Sequence, residues 1–403
     1  MSDTNATVDT DSQRMTDGKW NAPDTEVLDA IADGIANQTA VLATVVAVDG
    51  SAYRRPGAKM VITDDSDSVG SVTAGCLEDD VSALAERVLA TGNSCIEQFD
   101  LTGDDDVWGL GVGCNGVVDI LIEPLDERYR PVADAHQNSD DIAVLTVLGD
   151  TSTDIQQGNR AFAYPTDNTQ LTFETPNWPD QLRKAVIEPT QRLFSAGSSD
   201  TVTVSWDENT ADVFIDIVQT PPKLIVFGSG HDVDPVVELA KRVGFRVTVV
   251  TFRGAAADTD RFDAADRVLS TSPTDLRSVL SFDTATHAVI MSHNFVDDRL
   301  VLNELLATSV QYIGLVGSRQ RFEEMQEVFA TEGRTFTSDE RNRIYTPAGL
   351  DLGGGTPFHI AQSIVAEVTA HYHDRDPQHL SERKGPIHPR SPVGTSSGDD
   401  RPE

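Results

Sequence analysis

Lys223-Leu224-Ile225-Val226-Phe227-Gly228-Ser229-Gly230-His231-Asp232-Val233 decides the fold of the second half of this chain. A run of residues suited to a buried strand leads directly into two glycines one residue apart, and an apolar-periodic helix follows over Val233 to Val243. At such a turn the backbone N–H groups and the helix dipole face an anionic ligand, which makes Gly228 and Gly230 candidate cofactor-binding residues. Upstream, Pro221 and Pro222 punctuate the chain. Downstream, Phe245 to Val250, His287 to Met291, Tyr312 to Leu315 and Arg343 to Thr346 read as strands separated by helical stretches. The alternation predicts a Rossmann-like doubly wound parallel-sheet domain over residues 221–374. The third glycine of a dinucleotide fingerprint is missing. Where the second strand ends, Thr251-Phe252-Arg253 stands in place of the acidic residue that grips a ribose. Thr251 could still bond a hydroxyl, and Arg253 could favour a phosphate.

The preceding part reads differently. Val27, Leu28, Ile31 and Ile35 share a helical face, and Val41 to Val48 is a nearly continuous apolar strand. A short strand at Met60 to Ile62, a helix from Leu77 to Ala90 and strands near Ile96 to Leu101 and Val117 to Ile122 complete an N-terminal mixed α/β domain over residues 25–130. The fold class is therefore α/β in two parts. Residues 131–220 read as a connecting segment or extension of the first domain, with a strand at Ala143 to Leu148, a helix around Gln181 to Phe194 and alternating strands at Thr201 to Trp206 and Ala211 to Val218. No fixed-period repeat is evident. Residues 1–24 and 375–403 are polar or rich in Pro, Ser and Gly, and read as disordered tails.

Composition narrows the function. The chain has 403 residues, with 31 Lys+Arg against 65 Asp+Glu and a formal charge of −34. Such a field repels phosphate at long range, so nucleic acid and anionic membrane surfaces are excluded as partners and any phosphate site must be a local pocket. The carboxylates are spread along the chain rather than clustered, and lysine is scarce, which suggests solvation in concentrated salt. Three cysteines, Cys76, Cys95 and Cys114, are too few for a disulfide framework, and no apolar leader or membrane-length run is present. A cytoplasmic location is expected.

Against this acidic background, Gly50-Ser51-Ala52-Tyr53-Arg54-Arg55-Pro56-Gly57-Ala58-Lys59-Met60 is the one dense basic cluster. Arg54, Arg55 and Lys59 suit a phosphate, and Tyr53 suits a planar ring. Thr73-Ala74-Gly75-Cys76-Leu77-Glu78 places Cys76 at the mouth of a helix, where free N–H groups favour a thiolate. Gly109-Leu110-Gly111-Val112-Gly113-Cys114-Asn115-Gly116 places Cys114 in a glycine-rich loop. Two soft thiolates suit a soft or redox-active metal but fall short of a tetrahedral zinc set. Cys95, at the start of a strand, reads as a small buried hydrophobe. In the second domain, Gly314-Leu315-Val316-Gly317-Ser318-Arg319 sets Ser318 and Arg319 at the carboxyl edge of the sheet. Gly353-Gly354-Gly355-Thr356-Pro357 brings Gly353 and Gly354 to a helix start that Thr356 caps and Pro357 opens.

Together these segments resemble the XdhC/CoxI family, maturation factors for molybdenum hydroxylases such as xanthine dehydrogenase and carbon monoxide dehydrogenase. The resemblance spans roughly residues 26–124 and 222–371. It rests on Ser51 to Met60, Gly75-Cys76-Leu77-Glu78, Gly111 to Gly116, Tyr312 to Arg319 and Gly349 to Glu367. It implies a non-catalytic accessory protein that binds molybdenum cofactor (molybdopterin), protects it while a cysteine desulfurase supplies its terminal sulfido ligand, and passes it to the apo-hydroxylase. Cys76 would then contact molybdenum, with Cys114 second and Glu78 beside them, and Arg54, Arg55 and Lys59 would hold the pterin phosphate. A homo-oligomer is compatible with this role. The chain departs from the family pattern at Ala74, Asp79, Thr251 and His359.

The rival reading is an NAD(P)-dependent oxidoreductase using the glycine turn, with His293 of Ser292-His293-Asn294 as proton-transfer residue or, on the blander account, as a structural histidine. A third reading is a metal site at His371, His373 and His379. The acidic composition carries a prediction of its own: stability should rise from low to molar salt as screening suppresses carboxylate repulsion. Urea unfolding across that range checks it, and equal stability at low salt would refute the saline-cytosol reading.

Overall fold

The computed structural model describes residues 19–37, 39–63, 67–102, 115–150, 155–166, 170–175, 177–252 and 259–384. Chain contacts divide it into two compact units, one running to Thr220 and the other starting at Pro221. Residues 19–23, read above as tail, are ordered: the Lys19 N–H donates to the Ser68 carbonyl at 2.8 Å, and the Lys19 carbonyl accepts from the Gly70 N–H at 3.1 Å.

The first unit begins with α1 (Asp24–Asn37), β1 (Ala40–Ser51), β2 (Lys59–Thr63), β3 (Ser68–Gly70), α2 (Glu78–Thr91), β4 (Cys95–Asp100) and β5 (Asn115–Pro124). It continues with α3 (Arg130–Asn138), β6 (Ile142–Asp150), β7 (Arg160–Pro165), β8 (Leu171–Glu174), α4 (Asp180–Ala185), α5 (Ile187–Ala196), β9 (Asp200–Trp206) and β10 (Asn209–Val218). The single helix expected over Gln181 to Phe194 is broken at Val186. Pro189 lies in the first turn of α5, where its missing N–H costs nothing; in a continuous helix it would leave the Ala185 carbonyl without a donor.

Two antiparallel sheets result, ordered β3-β2-β1-β5-β4 and β8-β7-β6-β10-β9. Each packs one face on its own helices, α2 for the first sheet and α4 and α5 for the second. The other faces meet each other and α1 and α3. Successive side chains of a strand alternate between faces, so in β1 Val41, Ala43 and Val45 pack toward α2 while Leu42 and Val46 pack toward the second sheet. A strand covered on both faces reads as a continuous apolar run, which is why Val41 to Val48 shows no alternation.

The strand orders reveal a repeat that the sequence did not show. Both sheets follow the same path, and both central strands carry a register shift at the same place, after Val45 in β1 and after Val147 in β6. Thr44 pairs with Lys59 as Thr146 pairs with Arg160. Thr44, Val45 and Gly57 correspond to Thr146, Val147 and Gly158, but most other matched positions differ, so no period appears in the sequence.

The second unit holds β11 (Lys223–Phe227), α6 (Val233–Arg242), β12 (Arg246–Thr251), β13 (Arg267–Ser270), α7 (Leu276–Val279), β14 (Thr286–Ile290), α8 (Phe295–Leu306), β15 (Tyr312–Leu315), α9 (Arg319–Thr331), α10 (Ser338–Asn342), β16 (Ile344–Tyr345) and α11 (Pro357–Tyr372). Its parallel sheet is ordered β13-β12-β11-β14-β15-β16, the doubly wound arrangement expected from the sequence. Helices α6 and α11 cover one face, α8 and α9 the other.

At the amino edge of this sheet His287 on β14 is buried against His371, with Nε2 3.1 Å from Nδ1 of its partner. Phe245, Tyr312 and Tyr372 surround it. His371 is therefore part of a packed aromatic cluster. No group of three or more metal-ligating side chains forms among the described residues, and no helix there is long and apolar enough to cross a membrane.

Burial, and then the neighbouring His371, lower the His287 pKa from 6.5 to about 4. The unfolded chain therefore takes up this proton first as pH falls. The stability is fully present above pH 6.5 and is lost progressively between about 6.5 and 4, by about 3 kcal/mol for a shift of this size. Urea unfolding at pH 7.5, 5.5 and 4 should show a shallower acid loss in His287→Phe than in the wild type.

Candidate functional site

In the first unit, three loops leave the same end of the first sheet. Strand β1 runs to Ser51, and β5 returns from Asn115 with Ser51 opposite Asn115, so the β1–β2 and β4–β5 connections share that end. Strand β3 is antiparallel to β2 and so runs parallel in direction to β1, which sends the β3–α2 connection out there as well. The topology thus brings the basic loop, the Cys76 loop and the connection carrying Cys114 to one edge. Cys114 itself, and the glycines before it, lie outside the described residues.

The Cys76 loop is prearranged. Glu78, the first residue of α2, turns its carboxylate back to accept from the Thr73 N–H and hydroxyl and from the Leu77 N–H, at 3.1, 2.6 and 3.1 Å. The Thr73 hydroxyl in turn accepts from the N–H groups of Gly75 and Leu77. Both Glu78 oxygens are engaged in the loop, so the carboxylate orders the segment that carries Cys76. Cys76 is half-buried, and its neighbour Gly75 is exposed, with φ of +107° and open space where a Cβ would point. Cys95 is also half-buried, and burial raises its pKa, with Arg87 opposing and Glu97 adding to the rise. Its side chain is partly buried against the core shared with α2.

The basic loop divides by role. Tyr53 and Arg55 are exposed. Arg54 is half-buried; its guanidinium lies 3.9 Å from Asp24, while Nε is buried without a hydrogen-bond partner. Lys59, expected to grip phosphate, does not face solvent. Its Nζ is 2.8 Å from Asp216 Oδ2 and donates to the Gly57 carbonyl at 2.9 Å, with only 10% of the side chain exposed. Adjacency in sequence suggested one cluster of three cations. Strand alternation turns Lys59 inward.

In the second unit the glycine turn meets the loop after β14 at the switch point of the sheet. A Cβ on Gly228 would stand 2.6 Å from the Met291 carbonyl, so this glycine serves the close approach of two loops. Over Gly230 lies the Asp232 carboxylate, which pairs with His293 Nε2 at 2.7 Å. His293 has a left-handed backbone, φ +57°, and an exposed ring whose Nε2 is taken up by that pair. Thr251 is buried, and its hydroxyl donates to the Leu269 carbonyl at 3.3 Å, so it does not reach for a ribose. Arg253 lies outside the described residues.

Elsewhere on that edge, the Ser318 hydroxyl caps α9, accepting from the Arg321 N–H, and Arg319 is exposed. Two arginines near that edge have defined partners: Arg261, which donates to the Ser229 carbonyl at 2.9 Å, and Arg321, 2.7 Å from buried Asp298, which also accepts from the Ser292 hydroxyl. Sequence reasoning missed the Arg321–Asp298 pair; its one signal was the arginine three residues beyond the capping serine. Thr356 caps α11 as expected. Gly353 and Gly354 are exposed at positive φ, with the His359 ring folded against Gly354. Glu367 accepts from the Tyr312 hydroxyl and the Gly349 N–H, anchoring the start of this loop.

Family models match both units: the XdhC Rossmann domain over residues 224–368 and the XdhC and CoxI family over residues 35–100. A Bacillus subtilis protein described as a probable xanthine dehydrogenase subunit is 31% identical over 351 residues, 85% of this chain and 95% of that one. An uncharacterised Escherichia coli protein, YqeB, is 26% identical over 163 residues, 39% of this chain and 28% of its own length. The crystal structure of a xanthine dehydrogenase from Bacillus halodurans superposes with a TM-score of 0.67 at 26% identity, covering 90% of this chain and 98% of that one.

Removing the Glu78 carboxylate takes away three hydrogen bonds at once. Glu78→Ala should lower stability by about 2 kcal/mol in urea unfolding and speed alkylation of Cys76, read by peptide mass spectrometry. Cys95 should label slowly at pH 8 in both proteins.

Proposed function

The chain belongs to the XdhC and CoxI family, and from that premise we propose that it is a cytoplasmic accessory protein that binds molybdenum cofactor for a hydroxylase of the xanthine dehydrogenase type. It holds the cofactor while a cysteine desulfurase supplies the terminal sulfido ligand and then releases it to the apoenzyme. The names carried by the Bacillus relatives support the choice of partner.

One observation carries the reading: a preformed loop presents a half-buried thiol, Cys76, at the same sheet end as two arginines on an otherwise strongly acidic chain. The residues fit the group. Arg54 has a buried Nε without a partner, Arg55 is exposed, and the backbone at Gly75 is open to close approach. When bound, the cofactor supplies molybdenum and its exchangeable terminal ligand. Cys76 offers a soft sulfur donor to the metal, Arg54 and Arg55 fork the phosphate, Tyr53 covers the planar ring, and Glu78 keeps the thiol in place. Transfer of this kind requires no bond-making by the chain.

The nicotinamide alternative has a specific observation against it. The Asp232 carboxylate lies over Gly230, where a pyrophosphate would approach, and no acidic ribose partner stands at Thr251. Titrating the purified protein with molybdenum cofactor, and separately with NAD(H) and NADP(H), separates the two. Cofactor affinity should fall more than tenfold in Cys76→Ala and in Arg54→Ala/Arg55→Ala, without nicotinamide turnover. Nicotinamide binding in the absence of cofactor binding would overturn the proposal.

A further inference from the structure

The first unit is a doubled element, and its two halves are joined by crossed charges. Glu123 on β5 stands opposite Leu42 on β1, and Asp216 on β10 stands opposite Val144 on β6, so the two carboxylates are equivalent positions. Lys59 and Arg160 are equivalent as well, each opposite the matching threonine. Lys59 of the first half pairs with Asp216 of the second, while Arg160 of the second half pairs with Glu123 of the first. The loops before these cations match too. Val45 exchanges hydrogen bonds with Gly57 and Ala58 as Val147 does with Gly158 and Asn159.

The symmetry breaks where the chemistry lies. The first-half loop carries Tyr53, Arg54 and Arg55, whereas residues 151–159 of the second half contain no cation. The connection holding Cys114 is reduced in the second half to Asp207-Glu208 between paired Trp206 and Asn209. One further contact is unreciprocated. Ser199 donates to Asp216 at 3.1 Å and stands where a Cβ on Gly57 would be, 2.7 Å away, whereas nothing lies within 4 Å of the same position at Gly158.

We propose that the second half has become the support of a single anion site: Asp216 and Ser199, through Lys59 and Gly57, are positioning residues that hold the Tyr53-Arg54-Arg55 loop, and the mirror pair Glu123–Arg160 serves stability alone. The inference rests on the phosphate-binding reading of that loop. Its logic is geometric. Lys59 bonds both Asp216 and the Gly57 carbonyl, so the carboxylate fixes the C-terminal stem of the loop two residues beyond Arg55.

The duplication provides its own control. Asp216→Asn and Glu123→Gln each break one of two equivalent buried pairs, and the full chain is compared with both by hydrogen–deuterium exchange and by binding of inorganic pyrophosphate. Asp216→Asn should speed exchange over residues 52–58 at least tenfold more than Glu123→Gln does, and weaken pyrophosphate about tenfold, while Glu123→Gln stays within twofold of wild type. Asp216→Glu should restore part of both. Equal effects of the two variants on the loop, or none from Asp216→Asn, would overturn the proposal. A loosened loop in a protein whose wild type binds no pyrophosphate would uphold the positioning and overturn the phosphate reading. Where Asp216→Asn does not fold, Ser199→Ala, which leaves both ion pairs in place, carries the same two readouts.

Discussion

Two buried ion pairs, Lys59 with Asp216 and Arg160 with Glu123, are the constraint on which the first unit depends. Each joins one sheet to the other across faces that are largely apolar. Taking such charges out of water is expensive, and their attraction repays the cost only when geometry and further hydrogen bonds are right; losing one partner costs about 3–5 kcal/mol. The further bonds are present. Glu123 also accepts from Tyr129, whose phenol burial pushes well above its usual pKa, and the Arg160 Nε donates to Thr146. What the crossed arrangement adds is register. A slip of one residue in β2 or β7 would turn its cation to the opposite face and strand a carboxylate in the core.

The second unit is organised by crowding rather than charge. The loops after β11 and β14 approach so closely at Gly228 that no side chain fits, and the Asp232–His293 pair occupies the mouth between them. A ligand at this switch point would meet an imidazole and a carboxylate already paired with each other. The fold that commonly serves dinucleotides has here been given different edge chemistry, and fold alone is a poor guide to what it binds.

Much of this was legible in the residues. Lys223 to Phe227, buried on both faces, had one plausible state, and its strand bounds agree with the structure residue for residue. Thr356 and Pro357 named the start of α11 because capping is local chemistry. Lys59 was not legible in this way. Its fate turns on which face of β2 it occupies and on Asp216, 157 positions away. Nor were the loop bonds of Glu78, since nothing in its local sequence says that a carboxylate at a helix start will turn back to bind its own loop.

By itself, then, the sequence determined the two-part α/β architecture, the local capping and glycine turns, and the requirement that any phosphate site on a chain of charge −34 be local. These follow from periodicity, backbone propensity and summed charge, which act over a few residues or over none in particular. The duplication of the first unit, the inward turn of Lys59 and the closing of Asp232 over Gly230 were decided by tertiary structure. Each depends on strand register or on contact between distant segments, and matched register can persist after matching side chains have gone.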